Sequence, residues 1–234
     1  YWCMRIKNIW EAERVRKIFT PHNIALFHKM VIPKEQLGFP EIPSCPVNVP
    51  VTQVDKPGEQ KKFCLFPYQA AGVKWLKGRS FALLADDMGL GKTNQAIYWA
   101  ADNLPALVIV PAALVYNWQR EISTMWRPGD STLILDSKHT VPSKLPDWTI
   151  MSYGQLGSYL PQLKRAGFKS LIADEAHLIK NTEAHRTINM LELVSPKELK
   201  ATDKPIPNKL AVTGTPILNR PVELFTLMVF LGVK

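Results

Sequence analysis

The chain is 234 residues long and 46% hydrophobic, enough for one large or two small domains around a sizeable buried core. Its 29 Lys and Arg against 20 Asp and Glu give a formal charge of +9, which favours polyanions as partners. Three cysteines without metal or disulfide spacing exclude a small secreted scaffold and a zinc module and fit a reducing intracellular compartment, and the longest apolar run, 104–116, is interrupted by prolines and too short to span a bilayer.

Residues 1–20 predict a short helix with Ile9, Ala12, Val15 and Phe19 on one face and Asn8 as its N-cap. Five prolines between Pro40 and Pro57 rule out regular helix or central strand and mark an extended linker. A boundary near residue 60 therefore divides the chain into an extension over 1–62 and a larger unit over 63–234. In that unit apolar strands alternate with helical segments. Strands are expected at 81–85, 106–110, 132–135, 148–151, 170–173 and 209–213, and helices at 68–77, 92–101, 113–125, 184–194 and 222–231. The alternation predicts an α/β fold with a central, mostly parallel sheet flanked by helices, whose ligands bind at the carboxyl ends of the strands.

The residues with chemistry stand at those ends. After the first strand comes Asp86-Asp87-Met88-Gly89-Leu90-Gly91-Lys92-Thr93 and then a helix, the layout of a nucleotide phosphate loop. Glycines let main-chain N–H groups approach phosphate, the helix start adds a favourable dipole, Lys92 reaches the terminal phosphates and Thr93 can ligate magnesium. Asp86 stands where the general pattern asks for glycine. Further along, the buried strand 170–173 ends in Asp174-Glu175-Ala176-His177. In a phosphoryl-transfer site the first acid holds magnesium and its neighbour orients and deprotonates the attacking water.

The segment Asp87 to Thr93, the Asp174 to His177 box and Thr213-Gly214-Thr215-Pro216, in this order, resemble the first RecA-like motor lobe of the Swi/Snf-type ATPases of helicase superfamily two. Phe66-Pro67-Tyr68-Gln69 resembles that family's adenine-recognising segment. Val108-Ile109-Val110-Pro111 with Tyr116, Asn117, Trp118 and Glu121, and Ile150-Met151-Ser152-Tyr153, resemble two boxes that contact a nucleic-acid backbone. The run Asn219 to Phe225 is similar to the annealing-helicase branch, and Asp86 is ordinary within the family.

The resemblance implies ATP and Mg2+ as cofactors and double-stranded DNA, gripped by its phosphates, as partner. Gln69 would read adenine. Asp87, Met88, Gly89, Leu90, Gly91, Lys92 and Thr93 would cradle the nucleotide, with Thr93 and Asp174 on the metal, the aspartate through water. Lys92, Asp174 and Glu175 would carry hydrolysis; His177, Thr213 and Thr215 would couple it to DNA; Pro111, Ser152 and Tyr153 would face the nucleic acid. The family's second lobe would follow in cis, its linker starting near Lys234, and the protein would work inside the cell with DNA.

Rival readings make different demands on the same residues. An RNA helicase lobe of the Asp-Glu-Ala-His type resembles a different set, with Ser-Ala-Thr where Thr213-Gly214-Thr215 stands. A GTP-binding switch would need Asp at Ala211, after Asn208-Lys209. A non-catalytic nucleotide-binding or interaction module would keep the loop without turnover. Trp75, Trp99 and Trp118 are expected in the core, His177 lacks a metal-ligand partner at suitable spacing, and Lys197, Lys200 and Lys204 are expected in a solvated loop.

Overall fold

A computed structural model describes residues 65–195, 200–216 and 222–232. The helix expected in 1–20, the linker, the boundary near residue 60 and the middle of the lysine-bearing loop fall outside them.

The order of elements is α1 (Pro67–Leu76), β1 (Phe81–Leu84), α2 (Lys92–Ala100), β2 (Ala106–Val110), α3 (Val115–Arg120), β3 (Thr132–Ile134), β4 (Trp148–Ser152), α4 (Leu156–Ala166), β5 (Ser170–Ala173), α5 (His185–Val194), β6 (Asn208–Val212) and α6 (Val222–Leu231). The strands form one sheet in the order β1-β6-β5-β2-β4-β3, and every pairing is parallel. Central β2 is buried along its whole length, as its unbroken Ala-Leu-Val-Ile-Val run requires of a strand covered on both faces.

Alternate side chains build two cores. Leu83, Leu107, Ile109, Met151, Leu171 and Ala211 point to the face covered by α4, α5 and α6. Ala82, Leu84, Val108, Val110, Ile150, Ile172 and Leu210 point to the face covered by α1, α2 and α3. No helix among the described residues is long and apolar enough to cross a membrane.

One expected helix, 113–125, is broken into three turns. A 3-10 turn, Ala112–Leu114, leads into α3, and a π turn, Glu121–Trp126, follows it, with Arg127 N–H donating to the Ile122 carbonyl at 2.8 Å. The wider turn keeps Trp118, Ile122 and Trp126, spaced by four, all buried against the sheet. β6 also ends one residue early, at Val212, and Thr213 just beyond it still donates its N–H to the Leu84 carbonyl at 3.1 Å.

Candidate nucleotide site

The loop after β1 is shaped by two glycines in the left-handed region, Gly89 (φ 80°) and Gly91 (φ 67°), the latter capping α2. At Gly91 a second demand coincides with the first: a Cβ would lie 2.2 Å from Gln69 Nε2. That approach lets Gln69, itself buried, clamp the loop. Its Nε2 donates to the Leu90 carbonyl at 3.2 Å, while its Oε1 accepts from Phe66 N–H at 2.9 Å. The two contacts demand opposite ends of the amide and so fix which atom faces which way. Lys92 Nζ donates to the carbonyls of Asp86 and Asp87 at 3.0 and 2.9 Å, using two of its three protons.

Asp86 is only 5% exposed, and its Oδ2 accepts from Gln95 Nε2 at 2.9 Å. Gln95 is fully buried where α2 crosses α1, and Gly72 makes room for it: a Cβ there would sit 2.0 Å from Gln95 Oε1. The off-pattern aspartate is thus an anchor that ties the loop to α2.

The aspartate at the end of β5 is held at four atoms. Asp174 N–H donates to the Ile109 carbonyl (2.9 Å), its own carbonyl accepts from the Tyr153 hydroxyl (2.7 Å), Oδ2 accepts from Trp118 Nε1–H (2.8 Å) and Oδ1 accepts from Glu175 N–H (2.9 Å). Burial pushes the Asp174 carboxyl above the usual carboxylate range. The Trp118 and Glu175 N–H groups pull it back, the Glu175 charge adds to the rise and the Lys92 charge opposes it. Glu121, on the π turn, is likewise raised, chiefly by burial, against the Asn117 amide that donates to it at 2.8 Å; the Asp174 charge contributes to the rise.

Glu175 is the only described non-glycine residue at positive φ, 48°. Strain of this kind persists only where the surroundings impose it, and it clusters at functional sites. The turn brings Glu175 Oε2 to 3.2 Å from His177 Nδ1, which is also 3.2 Å from Thr213 Oγ1. Thr213 Oγ1 accepts from Thr215 N–H at 3.1 Å. Between the two threonines, Gly214 lies against the loop after β1: a Cβ there would be 2.8 Å from Met88 Cγ and 3.4 Å from Lys92 Nζ.

The fold therefore gathers Gln69, Leu90, Gly91, Lys92, Asp174, Glu175, His177, Thr213 and Thr215 at the carboxyl ends of β1, β5 and β6. Thr93 is half-buried in the first turn of α2, and Met88 is 76% exposed at the rim. Pro111 and Ser152, both half-buried, follow or end the neighbouring strands β2 and β4, where Val110 and Ser152 are in register. Tyr153 differs from the expectation of a nucleic-acid-facing side chain. It is 5% exposed and directed into the core, on the same face as Met151 two residues earlier.

Three contributors were not singled out from sequence: Gly214, Gln95 and the polar role of Trp118. Trp118 and Trp99 are core residues as expected, and the signal for more was available, since a buried indole N–H needs a partner. Trp99 donates to the Arg79 carbonyl at 3.3 Å; Trp118 finds Asp174 instead. Trp75, half-buried, carries the Arg79 guanidinium 4.1 Å above its ring.

The donor set suits magnesium. Among the described residues no three His, Cys, Asp or Glu form a metal-holding cluster, and Mg2+ is ordinarily held by one or two carboxylates with substrate phosphates and water rather than by an all-protein cage. The fixed carboxylate of Asp174 and the Thr93 hydroxyl, in the first turn of α2, are hard oxygens of that kind.

Residues 68–234 match the SNF2-related domain. Over 185 residues the chain is 34% identical to the SWI/SNF-related matrix-associated actin-dependent regulator of chromatin subfamily A-like protein 1 of Bos taurus, covering 76% of this chain and 18% of that protein. It is 32% identical to the DNA annealing helicase and endonuclease ZRANB3 of Homo sapiens (78% and 17%) and 35% identical to the ISWI chromatin-remodeling complex ATPase ISW1 of Saccharomyces cerevisiae (71% and 16%). The chain thus spans less than a fifth of the length of these three relatives. The Sulfolobus solfataricus SWI2/SNF2 ATPase core, solved in complex with dsDNA, superposes with a TM-score of 0.61 at 30% identity, over 74% of this chain and 36% of that one.

Proposed function

Because the chain belongs to the SNF2-related domain family, we propose that it is the ATP-binding lobe of a DNA translocase, remodeller or annealing-helicase motor. The observation that carries this reading is the convergence of Lys92, Asp174 and the Thr213 to Thr215 box, with Gly214 so near the loop that an added Cβ would lie 3.4 Å from Lys92 Nζ.

In this reading Gln69, its amide orientation fixed by Phe66 and Leu90, presents its remaining donor and acceptor to adenine. Lys92 moves its ammonium from the carbonyls of Asp86 and Asp87 to the terminal phosphates, and the main-chain N–H groups of Asp87 to Thr93 receive the rest. Thr93 and, through water, Asp174 would hold magnesium, which when bound would neutralise charge on the phosphates. Glu175 orients the attacking water and takes its proton. His177, between Glu175 and Thr213, links that carboxylate to Thr215 and so to the rim of the lobe.

Pro111 and Ser152 line the edge that meets DNA phosphate, without base readout, as a motor indifferent to sequence requires. A second lobe in cis supplies the arginine that stabilises transferred charge. Residues 63–234 form the lobe and 1–62 an extension, and the protein acts inside the cell on DNA.

Calorimetry tests the nucleotide half of the proposal: Lys92→Ala should abolish ATP binding with the fold intact, and equal affinity in the two proteins would sink it. The DNA half predicts an affinity that falls steeply with salt and changes little with sequence. A strong preference for one sequence at fixed salt contradicts it.

A further inference from the structure

The two segments proposed to face DNA have something else in common. Each sends one buried aromatic side chain inward, and both end on the same residue. From the segment after β2, which begins at Pro111, Trp118 donates its indole N–H to Asp174 Oδ2 at 2.8 Å. From the segment after β4, Tyr153, next to Ser152, donates its hydroxyl to the Asp174 carbonyl at 2.7 Å. Trp118 is 1% exposed and Tyr153 5%, so water cannot easily take either place.

We infer that Trp118 and Tyr153 are positioning residues that tie the two DNA-facing segments to Asp174, so that DNA and ATP·Mg2+ sense one another within this lobe. The inference rests on the function proposed above and adds a route separate from the His177–Thr213 contact.

The geometry makes the route stiff. The Asp174 carboxylate is pinned at one oxygen by Glu175 N–H and at the other by Trp118, so its plane cannot turn without breaking one of two bonds. The link from Pro111 to Trp118 is short and ordered: Leu114 N–H closes a turn on the Pro111 carbonyl at 2.9 Å, and α3 starts at the next residue. The link from Ser152 to Tyr153 is a single peptide. A shift of either segment on phosphate is therefore delivered to the aspartate, and a shift of the aspartate toward a nucleotide-bound metal is delivered back, as thermodynamic reciprocity demands.

A pair of substitutions removes the bonds while keeping an aromatic ring at each position. Tyr153→Phe is close to isosteric and Trp118→Phe keeps an aromatic ring in the core. Trp148→Phe serves as the control, because Trp148 is also fully buried and also donates to a carboxylate, Asp130 Oδ2 at 2.9 Å, at the opposite end of the sheet.

The readout is the affinity of a labelled duplex of fixed sequence, measured by anisotropy on the chain at its full natural length, without nucleotide and with saturating Mg2+ and a non-hydrolysable ATP analogue. In wild type the nucleotide should change duplex affinity by about fivefold or more. That factor should fall at least about threefold in Trp118→Phe and in Tyr153→Phe, with nucleotide-free duplex affinity within about twofold of wild type, and should persist in Trp148→Phe. A loss in one variant alone retains that residue and rejects the other. An unchanged factor in both, the same loss in Trp148→Phe, or a wild type whose duplex affinity ignores nucleotide overturns the inference. A wild type that fails to bind either the analogue or the duplex overturns the proposed function itself.

Discussion

At the amino ends of β5 and β6, Ser170 and Asn208 stand side by side in register, and each bonds a main-chain carbonyl: Ser170 that of Asn103 and Asn208 that of Lys169, both at 2.9 Å. At the carboxyl ends of the same strands, Asp174 and Thr213 take side chains among their partners, Trp118 and His177. The chain just beyond β5 is bent into the left-handed region at Glu175. One end is stitched to backbone that the sheet already fixes. The other is a mesh of side chains whose bonds can be exchanged for bonds to a ligand, and it holds buried charge and strain that packing alone would not select.

The comparison is broken most decisively by Glu175. If the carboxyl end serves chemistry rather than stability, Glu175→Gln should keep ATP affinity and thermal stability but lower hydrolysis by about a hundredfold to a thousandfold, read in single-turnover assays. A variant that hydrolyses normally would place the base elsewhere.

Next in size is the support beneath the loop. Gly72→Ala would drive a Cβ into Gln95 Oε1, so the buried Gln95 amide must shift, and its bond to Asp86 shifts with it. A loss of about 1–3 kcal/mol in urea unfolding is expected, with weakened ATP binding as the loop loosens. Wild-type stability would show that the loop does not depend on this anchor.

The smallest effect belongs to the amino end. Lys209 is half-buried at the start of β6, and burial lowers its ammonium below the usual lysine range. A lysine whose folded-state value is depressed favours folding when neutral, above its unfolded value near about 10.4, and loses that contribution as pH falls through the folded value. Lys209→Met should therefore raise Tm modestly at neutral pH, with the gain shrinking at strongly alkaline pH and ATP affinity unchanged. A Tm gain independent of pH would assign the effect to packing instead.

How much of this was legible in the sequence follows the reach of each contact. The loop's glycines, Lys92, Asp174 and Thr213 each end or follow an apolar run, so period and punctuation alone place them at one edge of a parallel sheet. Trp118 and Asp174 lie on different elements, and a buried tryptophan looks the same in sequence whether its N–H meets a carbonyl or a carboxylate. Tyr153 differs for a local reason: it keeps the inward face of Met151 one residue past the end of the strand, so period two and not its place beside Ser152 decides where it points. The π turn was hidden because an apolar spacing of four fits an ordinary helix nearly as well.

The sheet order has a further consequence for how the protein is made. Among the described strands β1, which leads into the glycine loop ending at Lys92, pairs only with β6, and Phe81 finds Lys209 across nearly the whole described chain. On the ribosome β1 emerges first of the six strands and its neighbour last. The centre and far edge, β5-β2-β4-β3, can zip together from segments already synthesised, while β1 waits without a partner until the final strand appears. Contacts so distant in sequence are slow to close and leave strand edges open in the interim. Translation thus delivers the loop of Gly89 to Lys92 early, and the sheet can seat it only at the end.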